Sequence, residues 1–306
     1  MVAPNVGARR ARVPASHLEA PIDLMALYPS VADESPLRVG PYTIDVALDG
    51  AALPGPWPVV LVSHGSGGSP MTHRDLARHL ARAGSLVLLP THPGNNRDDN
   101  HLAGTADILV QRPRDVSAVL DWVESPEGFP GQAEIRRIGI VGHSLGGYTG
   151  LALAHGRPHT IPRDTPGVPP RPIPVDADTR VAALVLLAPA APWFIAEGSL
   201  DDVSVPILML TGEHDTMTGS HGDFIAARLA AGTPLEHRTV DGAGHFSFLT
   251  PFPSEMVNPA FPPSQDPPGF DREAFHATLY PEVEAFLRRN TGTQEHRIAG
   301  SQERSL

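Results

Sequence analysis

The 306-residue chain has no cysteine. That absence excludes a disulfide framework, a thiolate zinc site, an iron–sulfur cluster and a cysteine nucleophile together. It leaves the redox compartment open, since a chain without thiols suits either side. Long apolar runs are missing as well. The most apolar stretches, such as Val181 to Leu187, are strand length and far short of the roughly 20 residues that span a bilayer, so no membrane insertion is expected. There is no basic stripe either. Lys and Arg number 23 against 34 Asp and Glu, a net charge of −11, and phosphate binding needs clustered cations, so nucleic acid is not an expected partner. Arg9, Arg10 and Arg12 are followed by no apolar stretch of signal-peptide length. A cytoplasmic location is therefore expected, with a secreted form left open in case the sequence is a piece of a longer one. The oligomeric state is not indicated.

What is present suits a globular enzyme. Counting Gly with the 41% hydrophobic residues brings the apolar share near the globular norm of about 45–50%. Proline, at 34 residues, has roughly twice its usual share, but it collects in patches between well patterned segments. From Gly7 to about Leu48 the chain reads as leading strands, and Tyr42 to Leu48 shows period-2 alternation. Short continuous apolar runs follow at 58–62, 85–89, 137–141, 181–187 and 205–210, as expected of strands buried on both faces of a parallel sheet. Between them lie helical faces, with Leu76, Leu80 and Ala83 on one and Val116, Val119, Leu120 and Val123 on another. A last helix is expected over 272–289.

Strands alternating with helices imply an α/β fold with right-handed crossovers. Residues 1–290 read as one domain, carrying Pro-rich insertions at 156–178 and 250–270 and followed by a flexible tail at 291–306. The insertions are either solvated excursions or a lid or pocket wall.

The sharpest chemical signal is Gly142-His143-Ser144-Leu145-Gly146-Gly147, placed where a strand ending at Val141 turns into a helix. This is the nucleophile-elbow pattern, a turn so tight that glycine is needed on either side of the serine. A serine hydroxyl needs a base, and the base needs a partner to fix its tautomer. His245 follows the strand 235–240 in a Gly-rich loop, and Asp215 follows the strand 205–210. Both then sit at C-terminal strand ends, where open α/β sheets place their sites. Glu213 and Asp241 are rival acids; His214, His221 and His237 read as surface or network residues. An oxyanion needs N–H donors, each worth about 2.7–4 kcal/mol in the transition state. Leu145, after the nucleophile, supplies one. Ser66, in the Gly-rich loop Ser63 to Gly68 after an earlier strand, is the choice for the other. Trp193, Phe194, Phe246 and Phe248 flank these loops and either line an apolar substrate pocket or pack in the core. The polar stretch 91–101 reads as a structural network rather than a metal loop, and neither metal nor cofactor is expected.

The segments Ser63 to Ser69, His92 to Asn100, Gly142 to Gly147 and Gly244 to Phe248 resemble the α/β-hydrolases, in particular bacterial proteins of the dienelactone hydrolase-like and platelet-activating-factor acetylhydrolase-like kinds. The resemblance runs from about residue 7 to 290. It implies a mostly parallel central sheet with antiparallel leading strands and helices on both faces, and a serine esterase mechanism. True dienelactone hydrolases carry Cys where this chain has Ser144. The acetylhydrolases carry their acid where this chain reads Leu187-Ala-Pro-Ala-Ala-Pro-Trp193, which returns the acid to Asp215. The expected activity is hydrolysis of small-molecule carboxylic esters, small-to-medium or aromatic. Amide or thioester cleavage, or acyl transfer, by the same residues stays open, as does a non-catalytic binding protein on this fold.

Overall fold

The computed structural model describes residues 3–292. Nearly all of the expected tail, from residue 293 onward, lies outside them, while Thr291 closes the last helix. In chain order the elements are β1 (Asn5–Val13), β2 (Ile22–Ser30), β3 (Ser35–Val39), β4 (Tyr42–Leu48), β5 (Trp57–Ser63), α1 (Arg74–Arg82), β6 (Leu86–Pro90), α2 (Ala106–Glu124), β7 (Ala133–His143), α3 (Leu145–Leu153), β8 (Val181–Leu187), β9 (Ile207–Gly212), α4 (His221–Ala226), β10 (Leu235–Val240) and α5 (Arg272–Thr291). One ten-stranded sheet has the order β10-β9-β8-β7-β5-β6-β2-β1-β4-β3. Its half from β6 to β10 is parallel. The leading strands join through the antiparallel β2–β6 pair.

Side-chain alternation along the buried strands feeds two cores. Val59 and Leu61 of β5 point into a core shared with α2 and α3, whereas Val60 and Val62 point to the opposite face, covered by α1 and α5. A strand buried on both faces reads as a continuous apolar run for this reason. Local chemistry sets the helix ends. Asp271 caps α5 by accepting the Ala274 N–H at 3.0 Å, and Arg288 and Arg289 lie in its last turn, where the helix dipole favours cations. Within α2, Pro113 has no N–H to offer the Leu109 carbonyl one turn back. The Tyr148 hydroxyl of α3 bonds that carbonyl instead, at 2.9 Å, and ties the two helices together.

The two Pro-rich insertions differ. Residues 156–178 fold back on themselves and onto the segment after β8, with His159 N–H to Trp193 O at 2.7 Å and Thr160 N–H to Arg171 O at 2.8 Å. Residues 250–270 lie over the C-terminal edge of the parallel strands and form a wall of the site. The Arg272 guanidinium pins that wall, bonding Asp266 at 2.9 Å and the carbonyls of Gln265, Pro263 and Leu249 at 3.1–3.3 Å.

Candidate active site

Three strand ends converge at the C-terminal edge of the sheet. At the end of β7, Ser144 has φ 53° and ψ −117°, a conformation that costs a non-glycine residue of order 1–3 kcal/mol. The surroundings enforce it. A Cβ at Gly142 would run into the Gly146 carbonyl, and one at Gly146 into the Ser63 carbonyl of β5. The elbow's glycines are therefore required by close backbone approach, and the serine is thrust out of the strand end.

After β9, Asp215 turns back toward the loop that follows β10. Its Oδ2 lies 2.8 Å from His245 Nδ1, with both side chains almost wholly buried. Its Oδ1 accepts the N–H groups of Met217 and Thr218, each at 2.8 Å. The Thr218 hydroxyl lies 2.8 Å from Oδ2, 3.1 Å from His245 Nδ1 and 3.0 Å from the Ala188 carbonyl. Burial alone would raise the Asp215 pKa. The hydrogen bond and charge of His245, with the bonds from Thr218, outweigh it and hold the carboxyl down at about 2. Asp215 is thus an anion that fixes His245 with Nδ1 protonated, leaving Nε2 free to accept a proton. Of the rival acids, Glu213 is engaged on the surface, accepting the Gly242 N–H at 2.7 Å. Asp241 is exposed.

His143, next to Ser144, donates from Nε2 to the His245 carbonyl at 2.9 Å, and the two rings lie 5.0 Å apart. Burial, together with the charge of His245, pushes His143 down to about 3, so it serves as a neutral strut. The loop after β5 runs directly against Ser144: a Cβ on Gly65 would come within 3.2 Å of both Ser144 Cβ and His143 Nδ1. Neither the Ser66 nor the Leu145 N–H has an intramolecular acceptor among the described residues. Two free donors beside a serine are what an oxyanion requires.

Ser144 and His245 open into a cavity of about 480 Å³. Its lining includes Phe246, Leu249, Phe252, Met256 and Phe261, together with Tyr42 and Arg97. Phe252 packs edge-on to Phe261 and tilted on Tyr42, so the wall is an aromatic cluster.

Of the four aromatic residues assigned to the pocket from sequence, Phe246 lines this cavity. Trp193, Phe194 and Phe248 do not, and their assignment is corrected. Trp193 is buried beneath the 156–178 insertion, edge-on to Tyr148 at 5.0 Å, with its indole N–H on Asp164 Oδ2 at 2.7 Å. Phe194 packs tilted on the same Tyr148 ring at 5.6 Å. Phe248 turns inward against Phe275. Each lies near a site loop in sequence but faces the core, which residue type alone does not reveal. Conversely, sequence reading missed Thr218, Phe252 and Phe261. The Pro-rich context of 250–270 was the only signal for the last two.

The polar stretch 91–101 is a hydrogen-bonded network. Asn96 bonds the His92 carbonyl and the N–H groups of Asp98 and Asp99, and Asn95 bonds Ser66 and Asn100. No helix among the described residues is long and apolar enough to cross a membrane.

A mixed sheet with a parallel half, a strained serine after β7, and an aspartate and a histidine after β9 and β10, the two strands beyond β8, defines an α/β-hydrolase. The chain belongs to the dienelactone hydrolase family, whose model matches residues 44–260 and so spans all three of these residues. Among curated proteins it is similar to a bis(hydroxyethyl) terephthalate hydrolase of Streptomyces coelicolor, 26% identical over 145 residues, or 47% of this chain and 39% of that one. It is also similar to the cutinase est2 of Thermobifida alba, 26% identical over 147 residues, or 47% and 41%. The matched stretches thus span about two fifths of those relatives. Among solved structures, a ferulic acid esterase from Streptomyces cinnamoneus superposes with a TM-score of 0.68 at 19% identity, covering 95% of this chain and 91% of the other. At that identity the likeness concerns the fold.

Proposed function

We propose that the protein is a serine carboxylic-ester hydrolase working through a covalent acyl-enzyme on Ser144. The observation that carries the reading is the buried Asp215–His245 pair, 2.8 Å apart, opening with the strained Ser144 into one cavity. His245 Nε2 takes the Ser144 proton as Oγ attacks the ester carbonyl carbon. The carbonyl oxygen becomes an oxyanion held by the Ser66 and Leu145 N–H groups. Collapse breaks the bond to the alcohol, which leaves with the proton from His245. Water, activated by the same imidazole, then attacks the acyl-enzyme and frees the acid and Ser144. No step calls for a metal or cofactor.

The substrate is a small-molecule ester of small-to-medium or aromatic type. Phe246, Phe252 and Phe261 give the roughly 480 Å³ cavity an aromatic wall, suited to a flat or short apolar group. The names of the terephthalate hydrolase and the ferulic acid esterase, both of which refer to aromatic compounds, support that choice. A series of p-nitrophenyl esters of rising acyl length, an aromatic diester and a dispersed long-chain triglyceride tests it. Soluble short and aromatic esters should be turned over fastest. Faster turnover of the triglyceride would replace this reading with a lipase.

A further inference from the structure

Behind the loop that abuts Ser144 lies a buried polar cluster that the proposed reaction does not use. At its centre is Arg112 of α2, with no exposed surface. Its guanidinium donates from Nε to Thr149 Oγ1 at 3.1 Å, from Nη1 to Asn95 Oδ1 at 2.8 Å, and from Nη2 to Ser63 Oγ at 3.1 Å and to the His64 carbonyl. No carboxylate lies within 4.0 Å of it among the described residues. Asp115, one turn further along α2, instead takes His92 Nδ1 at 3.0 Å and His17 Nε2 at 2.8 Å. His92 Nε2 in turn lies 3.0 Å from Ser63 Oγ. Ser63, His92 and Asp115 thus repeat the order of a catalytic triad. All three are sealed from solvent, so no substrate reaches them.

A buried guanidinium without a direct counter-ion is expensive, and an apolar side chain of the same size would pack there at less cost. What the cluster provides is geometry at two points. Asn95 hands the first arm on, donating from Nδ2 to Ser66 Oγ at 2.9 Å. Thr149 hands on the second, its hydroxyl 3.1 Å from the Leu145 carbonyl in the first turn of α3. Ser66 and Leu145 are the two residues proposed above as oxyanion donors, and neither N–H has an intramolecular acceptor among the described residues.

We infer that Arg112 is a positioning residue for the oxyanion hole, holding its two donors in register through one arm by way of Asn95 to Ser66 and another by way of Thr149 to Leu145. The Ser63–His92–Asp115 chain anchors the guanidinium side that faces β5. This inference rests on Ser144 being the nucleophile and on Ser66 and Leu145 being the donors. Donors aimed at charge that develops only in the transition state act on kcat rather than on ground-state binding. A displacement of about 1 Å in such a site costs on the order of 100-fold.

The test is steady-state hydrolysis of p-nitrophenyl acetate by the full chain, normalised to the active fraction titrated with a fluorophosphonate, with the thermal midpoint measured in parallel. Arg112→Met should lower kcat about 100-fold with KM within about threefold of wild type. Arg112→Lys should recover little, because a point charge cannot fork to both arms. Asn95→Ala and Thr149→Val, each cutting one arm, should lower kcat about tenfold, and Asn95→Ala added to Arg112→Met should cost nothing more. If Arg112→Met does not fold, the two single-arm variants decide. A kcat within about threefold of wild type in folded Asn95→Ala and Thr149→Val overturns the inference, and so does a loss confined to KM or to the thermal midpoint. Wild-type protein that takes no label at Ser144 overturns the underlying reading instead.

Discussion

At the scale of single residues, the site depends on how each group is held. Ser144 contributes a hydroxyl and little packing, so Ser144→Ala should fold as wild type and lose ester hydrolysis on the order of 10⁶-fold, measured as kcat with a p-nitrophenyl ester. Retention of a tenth of the turnover would remove Ser144 from the mechanism. Asp215→Asn should cost on the order of 10⁴-fold, because an amide no longer requires a proton on His245 Nδ1 and lets the wrong tautomer form. Glu213→Gln should cost little, since Glu213 only bonds the Gly242 N–H at the surface. The reverse ranking would mean that another carboxylate serves. With Asp215 held down at about 2, its charge stays constant over any working pH. Asp215 should therefore add no ionisation of its own to the acid limb of kcat/KM above pH 4. An acid limb of slope two above pH 4 on a logarithmic plot would show that Asp215 titrates there.

At the scale of elements, the wall built by 250–270 separates specificity from catalysis. Phe252→Ala and Phe261→Ala should shift the preferred acyl length or raise KM for aromatic esters while acetate turnover stays within about threefold, as the reacting atoms are untouched. Trp193→Ala should do the opposite. It should leave the acyl preference unchanged and lower stability by about 3–5 kcal/mol, read by urea denaturation, because Trp193 fills the core beside Tyr148. An altered acyl profile in Trp193→Ala would restore it to the pocket. This contrast marks where sequence reading succeeds. The strands β4 and β8 were legible to the residue because buried strands leave alternating or continuous apolar runs. Ser144 and Asp215 could be placed because each lies just past an apolar strand, and His245 because it lies in a Gly-rich loop after 235–240. The direction of Phe248 against Phe246 was not, since both lie in an irregular turn where no period fixes the facing side. The short α4, six residues long, and the arms of Arg112 depend on partners far along the chain, which local pattern does not contain.

At the scale of the whole molecule, an unusual share of buried histidine ties stability to pH. Burial, reinforced by Arg112 at His64 and His92 and by Arg272 at His143 and His276, holds His64 and His143 at about 3 and His276 at about 4, and holds His73 and His92 well below the ordinary range. Each folded value lies below the ordinary 6.5 of the unfolded chain, so the folded state binds fewer protons in this range. The stability these groups contribute is complete above pH 6.5 and is lost as pH falls from there toward 4 and 3. Asp215 acts in a separate, lower window, between its ordinary 3.8 and about 2. The urea midpoint should hence fall between pH 6.5 and pH 4.5, with net uptake of protons on unfolding near pH 5. A midpoint that stays level over that interval would mean that the buried imidazoles ionise without unfolding the chain.

The central claim, that one activated serine at the β7 elbow carries the reaction, is tested most directly by mass spectrometry of the protein after a fluorophosphonate has abolished its esterase activity. The account predicts one equivalent of label, mapped to the peptide at Ser144, with activity lost in proportion to labelling. It also predicts no label in Ser144→Ala and much slower labelling in Asp215→Asn. Label on another residue, or ester hydrolysis that persists once Ser144 is fully modified, would contradict it.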